Sequence, residues 1–491
     1  MRARALVAAL ALALLAVGFA LRPPPTEGPA LRDFESYYAA GATWRYHGDP
    51  YGRDVWRVER TIQGVGHDEL LPFVGPPSGL PLWELLARLD WPAACVVWGA
   101  LLAFALAALA FGSLRLAGGT IDLTDAVAIL IFCAGFGPLT SGLALGQVAI
   151  LSCAAIVVTP LLLGPRLVFA AAASTLVATL QPNLAIALLA RASGRRAPIA
   201  FALAAAIALG GSALAIAQEG GLGHYLAVLR EHAAAERFIA IQTTVAAVVR
   251  ALGATPSLTG GIALGAALAT LGALALQLLS RRYAPDDRLA LACAALPLAL
   301  PFAHEHDFTL AFLPAIVVTR RARGALWVAA AISSLVIATD WLGLAQRPPG
   351  LAMSTAFACA AALGLTALAR ERLQPFHFLP ALLALAVAAV GTLAAAHPLP
   401  TWPVNLPPAF AMPAGPSAAV VWNAEQIASG IGALDPRWAL LRLFSLAGCA
   451  SLWAIASVVL LTSRRRARDL EPRSEPSSTP RQEPQATCPS S

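Results

Sequence analysis

Apolar runs long enough to cross a bilayer recur along this 491-residue chain, and a water-exposed globule has too little polar surface to cover them. Hydrophobic residues make up 58% of the chain and charged residues 12%, so most of its surface must face hydrocarbon. Spans are predicted at approximately 5–21, 91–112, 123–138, 141–163, 198–217, 259–280, 287–303, 308–319, 324–342, 351–369, 376–396 and 438–462. The fold class is therefore an all-α polytopic integral membrane protein of about 12 transmembrane helices.

A net charge of +7 could suggest a nucleic-acid partner, but the arginines gather at span ends rather than along one polar face. They report topology instead. Arg2, Arg4, Arg115, Arg166, Arg195, Arg196, Arg281, Arg282, Arg320, Arg321, Arg323, Arg370, Arg372 and the run Arg464, Arg465, Arg466 can all lie on the cytoplasmic side, with both termini inside. Residues 167–190 resist this scheme, because a crossing there would carry Arg191, Arg195 and Arg196 outside. A re-entrant hairpin bent at Pro182, between Gln181 and Asn183, avoids that, and broken backbone at membrane depth must line a cavity or be covered by protein.

The first span is either a membrane helix or a cleavable signal peptide with Gly18 and Ala20 near the cut; both put Leu21 to Asp90 outside the cytoplasm. Six of the seven cysteines, Cys95, Cys133, Cys153, Cys293, Cys359 and Cys449, fall in apolar spans and Cys488 in the tail, so no disulfide framework is implied. Residues 1–462 form one transmembrane domain. Residues 463–491, rich in Pro, Ser and charge, cannot bury a core and are expected to be a disordered cytoplasmic tail.

The polar stretch DFESYY, residues 33–38, follows the first span directly. Phe34, Tyr37, Tyr38, Gly41 and Ala42 recur at helical spacing, and Gly48-Asp49-Pro50 ends the helix, which is expected to lie at the membrane interface. Tyr37, Tyr38, Trp44, Trp56, Phe73, Trp83 and Trp91 make the loop aromatic, as a headgroup-level lid or platform would be. Asp33 is either an N-cap or a general base at the edge of a water-poor site. Glu35 is the nearest substitute base and is expected to face solvent.

These motifs form an ordered set. The DF-x-x-Y segment at Asp33, HGDPY at 47–51, LPFVGPPSGLPL at 71–82, LGQ ending at Gln147, Gln181-Pro182 and the histidine of PFAHEHD together resemble glycosyltransferase family 87, over roughly residues 1–325. The resemblance implies a GT-C-like bundle, with interface helices outside the membrane, that uses a polyprenyl-phosphate-mannose donor without a metal or cofactor and inverts the sugar's configuration. It places the family's essential aspartate on Asp33 and its histidine on His306. The chain departs from the family pattern at Gly75-Pro76-Pro77, where relatives often carry Tyr-Pro-Pro, at Gln181-Pro182 for Lys-Pro, at His304 for tryptophan and at Asp307 for a second histidine.

The remaining polar residues are weighed beside that resemblance. Gln147, inside a predicted span, must face a helix partner or a cavity, and Gln181 and Asn183 flank a bend that needs satisfying. His304, Glu305, His306 and Asp307 are helix caps, a metal cluster or, as the resemblance implies, a donor-phosphate site with His306 as its contact. Residues 218–256 suggest amphipathic interface helices in which Arg230, Arg237 and Arg250 face solvent, anionic lipid or the substrate phosphate; residues 397–435 form a Pro- and aromatic-rich external loop without an assigned role.

The expected activity is transfer of a hexose, mannose by resemblance, from a polyprenyl-phosphate donor to a glycolipid or glycan acceptor on the outer face of a bacterial-type cell membrane. Asp33 is the catalytic candidate; Glu35, Tyr37, Gln147, Gln181, Asn183, His304 and His306 are the substrate-binding candidates. Membrane lipid is the other partner, and nucleic acid is not. The alternative is a transporter or flippase, since broken helices with midplane polar groups also build substrate pathways.

Overall fold

The computed structural model describes residues 2–22, 31–66, 68–163, 167–217, 221–280, 282–347, 350–400, 406–414, 417–432 and 435–470, with the side chains of 464–470 left aside. Arg166, Arg281, Cys488 and the expected tail beyond residue 470 lie outside the described residues. The protein is an all-α polytopic membrane protein.

The helices used below are α1 (Arg2–Ala20), α2 (Arg32–Arg45), α3 (Leu80–Leu86), α4 (Trp91–Ala117), α5 (Leu123–Ala134), α6 (Gly137–Leu145), α7 (Ala149–Leu163) and α8 (Val168–Ala178). They continue with α9 (Arg196–Ile216), α10 (Gly221–Glu236), α11 (Pro256–Leu279), α12 (Phe312–Arg321), α13 (Leu351–Leu368), α14 (Pro375–Ala395, with its tight first turn), α15 (Ala418–Ser429) and α16 (Pro436–Leu470).

Among the described residues, seven helices are long and apolar enough to cross a membrane: α1, α4, α9, α11, α13, α14 and α16. The count is eight if α5 and α6, bent by 65° at Gly135–Phe136, form one span. The expected dozen exceeds this because hydropathy alone does not see where a run breaks. The run 141–163 is interrupted between α6 and α7, and 287–303 is divided by a tight turn at Leu296–Leu298, where Pro297 cannot donate to the preceding turn. Near the expected hairpin bend, α8 stops at Ala178 and the helix resumes at Pro182, whose missing N–H costs nothing at a first helical position.

Helix α2 is expected at the interface, yet most of it is buried in protein. Phe34, Ala39 and Ala40 are fully buried, and Phe34 stacks on Trp91 and Trp98 at 5.6 and 5.2 Å. Such ring pairs contribute about 0.5–1.5 kcal/mol each beyond their buried area. Gly41 permits the approach of α3: a Cβ there would run into the Trp83 carbonyl carbon. Tyr37 then stacks on the Trp83 ring at 4.8 Å. The HGDPY turn is tied into the same wall, because the Tyr51 hydroxyl donates to the Gly75 carbonyl at 3.1 Å and His224 of α10 pairs with Asp49 at 2.9 Å.

At another place in the bundle, several arginines assigned to one side of the membrane meet. Asp125, fully buried at the start of α5, pairs with Arg4 of α1, with Arg320 of α12 at 3.0 Å and with Arg370 at 3.3 Å. Arg321 pairs with Asp287 at 2.6 Å and donates to the Leu116 and Ala117 carbonyls that end α4. One carboxylate thus ties α1, α5 and α12 together. Removing a partner from a buried ion cluster leaves uncompensated charge, so Asp125→Ala should cost about 3–5 kcal/mol. A marked fall in the thermal-unfolding midpoint in detergent is expected, and an unchanged midpoint would remove this cluster as a structural tie.

Candidate functional site

Helix α2 begins one residue before Asp33, and this removes the N-cap role expected as one of two for the aspartate. The residue before the helix is Leu31, in the left-handed region at φ 55°, and Asp33 caps nothing. Its carboxylate instead accepts a hydrogen bond from the Gln147 side-chain amide, while Gln147 Oε1 accepts from the Tyr37 hydroxyl at 3.0 Å. Three sequence candidates therefore form one chain, Tyr37 to Gln147 to Asp33.

Gln147 reaches Asp33 because the expected span is broken there. Gly146 sits at φ +75°, a conformation that strains any residue with a Cβ, and a Cβ would lie 2.9 Å from the Cβ atoms of both Leu31 and Phe34. The Gly146 carbonyl, freed from the helix, accepts from Trp98 Nε1 at 2.8 Å. Gln147 is thus a junction residue against α2, and the sequence signal for it was Gly-Gln inside an otherwise apolar run.

Facing this chain is the turn at 304–307. Gln181, just before the restarted helix, donates to Asp307 Oδ1 at 2.5 Å, and Asp307 Oδ2 accepts from the His304 backbone N–H at 2.9 Å. Asn183, two residues on, is partly exposed. His304 and His306 stack at 5.4 Å; His306 is buried, whereas the His304 side chain keeps 19% of its surface exposed. His306, the expected donor contact, is held well below its ordinary range by burial and by the neighbouring His304, which makes it neutral.

His304 behaves oppositely. Burial alone would lower it, but the hydrogen bond and charge of Glu236, with help from Asp307 and Asp33, raise its ring to about 8. Glu236 lies at the end of α10, 3% exposed, and receives His304 Nε2 at 3.2 Å, Gln242 Nε2 at 3.1 Å and Trp422 Nε1 at 2.6 Å. His232 stands one turn back at 3.5 Å. Burial would raise this carboxyl, yet His232, His304 and Trp422 outweigh it and hold Glu236 at about 2. The result is a buried carboxylate and imidazolium pair within electrostatic reach of Asp33, whose own carboxyl is raised by burial and only partly relieved by Arg32, Gln147 and His304.

Glu236, Gln242, His232 and Trp422 were not anticipated. The sequence predicts amphipathic interface helices over 218–256, and the signal it offers for this cluster is the His232–Glu236 spacing, one helical turn on a common face. Glu35 is also corrected. It does not face solvent but is 2% exposed, because the loop through Glu59 and Glu69 folds over α2. Burial raises it to about 8, with Arg32 opposing and Glu69 and Asp33 adding to the shift. Among the described residues, no three or more His, Cys, Asp and Glu side chains converge as metal ligands do.

Fold and site together define a polytopic α-helical membrane protein with a buried carboxylate facing a carboxylate-bound histidine. Residues 73–301 match the family model of glycosyltransferase family 87, as the motif order had suggested, and the match points to a membrane glycosyltransferase. The match spans just under half of the chain; Asp33 precedes it and the 304–307 turn follows it directly. Comparison with curated proteins and with solved structures gives no match.

If Gly146 sets the Gln147–Asp33 contact, Gly146→Ala should damage it in a folded protein. The left-handed conformation costs a residue with a Cβ about 1–2 kcal/mol, so a modest drop in thermal stability should accompany a much larger loss of sugar transfer. Equal, small losses in both would show that the junction matters only for folding.

Proposed function

We propose that the chain transfers a hexose, with mannose the expected sugar, from a polyprenyl-phosphate donor to a hydroxyl of a glycolipid or glycan on the extracytoplasmic face of a bacterial-type cell membrane. The acceptor oxygen attacks the anomeric carbon, its proton passes to Asp33, and the bond to the phosphate oxygen breaks with its electron pair leaving on the polyprenyl phosphate. His304, kept protonated by Glu236, stabilises the negative charge that develops on the departing phosphate. This assigns to His304 the role expected of His306, which is the neutral ring stacked beneath it. Tyr37, Gln147, Gln181 and Asn183 line the path by which acceptor and donor meet, and Tyr37 and Gln147 hold the base in place.

The observation that carries this reading is the Gln147 amide bonded to Asp33, opposite an imidazolium with its own counter-ion. A purely structural aspartate in this position would be an unneeded cost, because its burial disfavours the charged form. A lipid donor also accounts for the architecture, since its chain needs hydrocarbon whereas its sugar needs a polar cavity.

Asp33→Asn tests the base directly. Asparagine still accepts the Gln147 bond but takes no proton, so turnover with polyprenyl-phosphate mannose should fall by roughly 10²–10⁴-fold while thermal stability is kept. Near-normal transfer by this variant would exclude Asp33 as base.

The pH profile supplies a second test. Asp33 must be ionised and its pKa is raised above 3.8, so the rate should fall with acid at a pH above the ordinary carboxylate range. His304 must be protonated, so the rate should also fall as pH rises through about 8. His304→Gln should remove the alkaline limb, whereas retention of that limb would assign it to another group.

A further inference from the structure

Helix α15 belongs to the external stretch that the sequence left without a role, and it lies outside the family match. Its buried residues, Ala418, Ala419, Val421, Trp422, Glu425, Gln426 and Ser429, lie on one face. Two of them reach opposite sides of the site. Trp422 Nε1 donates to Glu236 Oε1 at 2.6 Å, and Glu425 Oε1 accepts from the Leu70 backbone N–H at 2.8 Å. Both ends of the helix are tethered to the α10 region, because the Ser417 hydroxyl donates to Glu231 and the Ile431 carbonyl accepts from the Ala240 N–H at 3.0 Å.

We infer that α15 completes the active site from a distance, with Trp422 as a positioning residue that fixes Glu236 in the orientation from which it holds His304. The inference rests on the proposed role of His304 and deepens it. An ionised carboxylate offers about four acceptor positions, and here they are shared between two groups on each oxygen. Oε2 takes His304 and Gln242; Oε1 takes Trp422, with His232 farther away at 3.5 Å. The indole N–H is a donor only, so it cannot compete for the proton that His304 carries. The ring is 6% exposed and packed, which makes it a rigid post rather than a mobile contact. Without this N–H, the buried carboxylate loses its shortest bond, becomes free to turn or to take up a proton, and releases His304 from its counter-charge.

The groups facing His304 that bear on its charge are Glu236 and His232 from α10, Asp33 from α2, and His306 and Asp307 from its own turn. Of these groups, Glu236 is the one that accepts the Trp422 N–H, so the effect of α15 on His304 runs through that carboxylate.

The experiment uses the full chain in detergent with ¹⁵N-labelled histidine, and the His304 signals are assigned with His304→Gln. In the unaltered protein the ring should titrate near 8, and in Trp422→Phe, which keeps the packing and removes the N–H, it should move down toward 6.5. Turnover should fall by about 10- to 100-fold as the charged pair loses its geometry, with the alkaline limb of the rate shifting to lower pH. Glu236→Gln should do the same, and adding Trp422→Phe to it should cost little more, since both act on one link. A tryptophan that merely supports folding would leave the His304 midpoint unmoved, and either that outcome or additive losses would overturn the inference. If Trp422→Phe does not fold, an unmoved midpoint in Glu236→Gln overturns it equally. The titration needs no substrate, so failure of the protein to use polyprenyl-phosphate sugars would reject the functional reading without deciding this one.

Discussion

The junction at Gly146 is the constraint on which the site depends. A continuous helix through 141–163 would leave the Gln147 amide within hydrocarbon or against apolar neighbours, where an unpaired amide is costly. With the left-handed residue, the chain turns between α6 and α7, presses against Leu31 and Phe34 and delivers the amide to Asp33. The same turn releases a carbonyl that Trp98 satisfies, so the break introduces no orphan at that position. The aromatic stack of Phe34, Trp91 and Trp98 then holds α2 at the depth where its carboxylate meets the 304–307 turn.

Two buried charge clusters in this protein follow opposite logics. Around Asp125, arginines from separate elements surround one carboxylate, and the outcome is a fastening. Around Asp33 the balance is incomplete: burial raises the carboxyl, and the nearby imidazolium is already engaged by Glu236. A group whose charged form is disfavoured in the resting protein is suited to accepting a proton, and a histidine with a dedicated counter-ion is suited to remaining charged when an anionic leaving group departs.

A third group of acids lies behind α2. Glu59 is fully buried and clasps the Leu71 N–H, Glu69 pairs with Arg32 at 2.7 Å, and Glu425 reaches the same strand of loop through Leu70. Burial pushes Glu59 well up, with Glu35 adding to it, and takes Glu425 to about 9. Burial thus disfavours the charged forms of Glu59 and Glu425, while Glu69 is offset by Arg32, and so these acids hold the loop to α2 and α15 with less repulsive charge than three free carboxylates would bring. Glu35 belongs to this fastening rather than to the solvent.

The apolar runs and arginine clusters settled the membrane-protein class from sequence alone, because a bilayer tolerates few other arrangements of such residues. The order of short motifs likewise pointed to glycosyltransferase family 87 and drew attention to Asp33, Tyr37, Gln147, Gln181 and the 304–307 turn, since polar residues amid apolar ones must find partners. Which partners they find was beyond the sequence. Asp33 and Gln147 are joined across 114 positions and Trp422 and Glu236 across 186, and no local periodicity encodes such pairings. The different charge states of two histidines two residues apart are set by tertiary structure too: the fold puts Glu236 against His304, whereas burial and the neighbouring His304 keep His306 low even with Asp307 4.0 Å away. Composition and spacing determine where a chain must hide or expose its groups, whereas charge state depends on what the folded chain brings within a few ångströms.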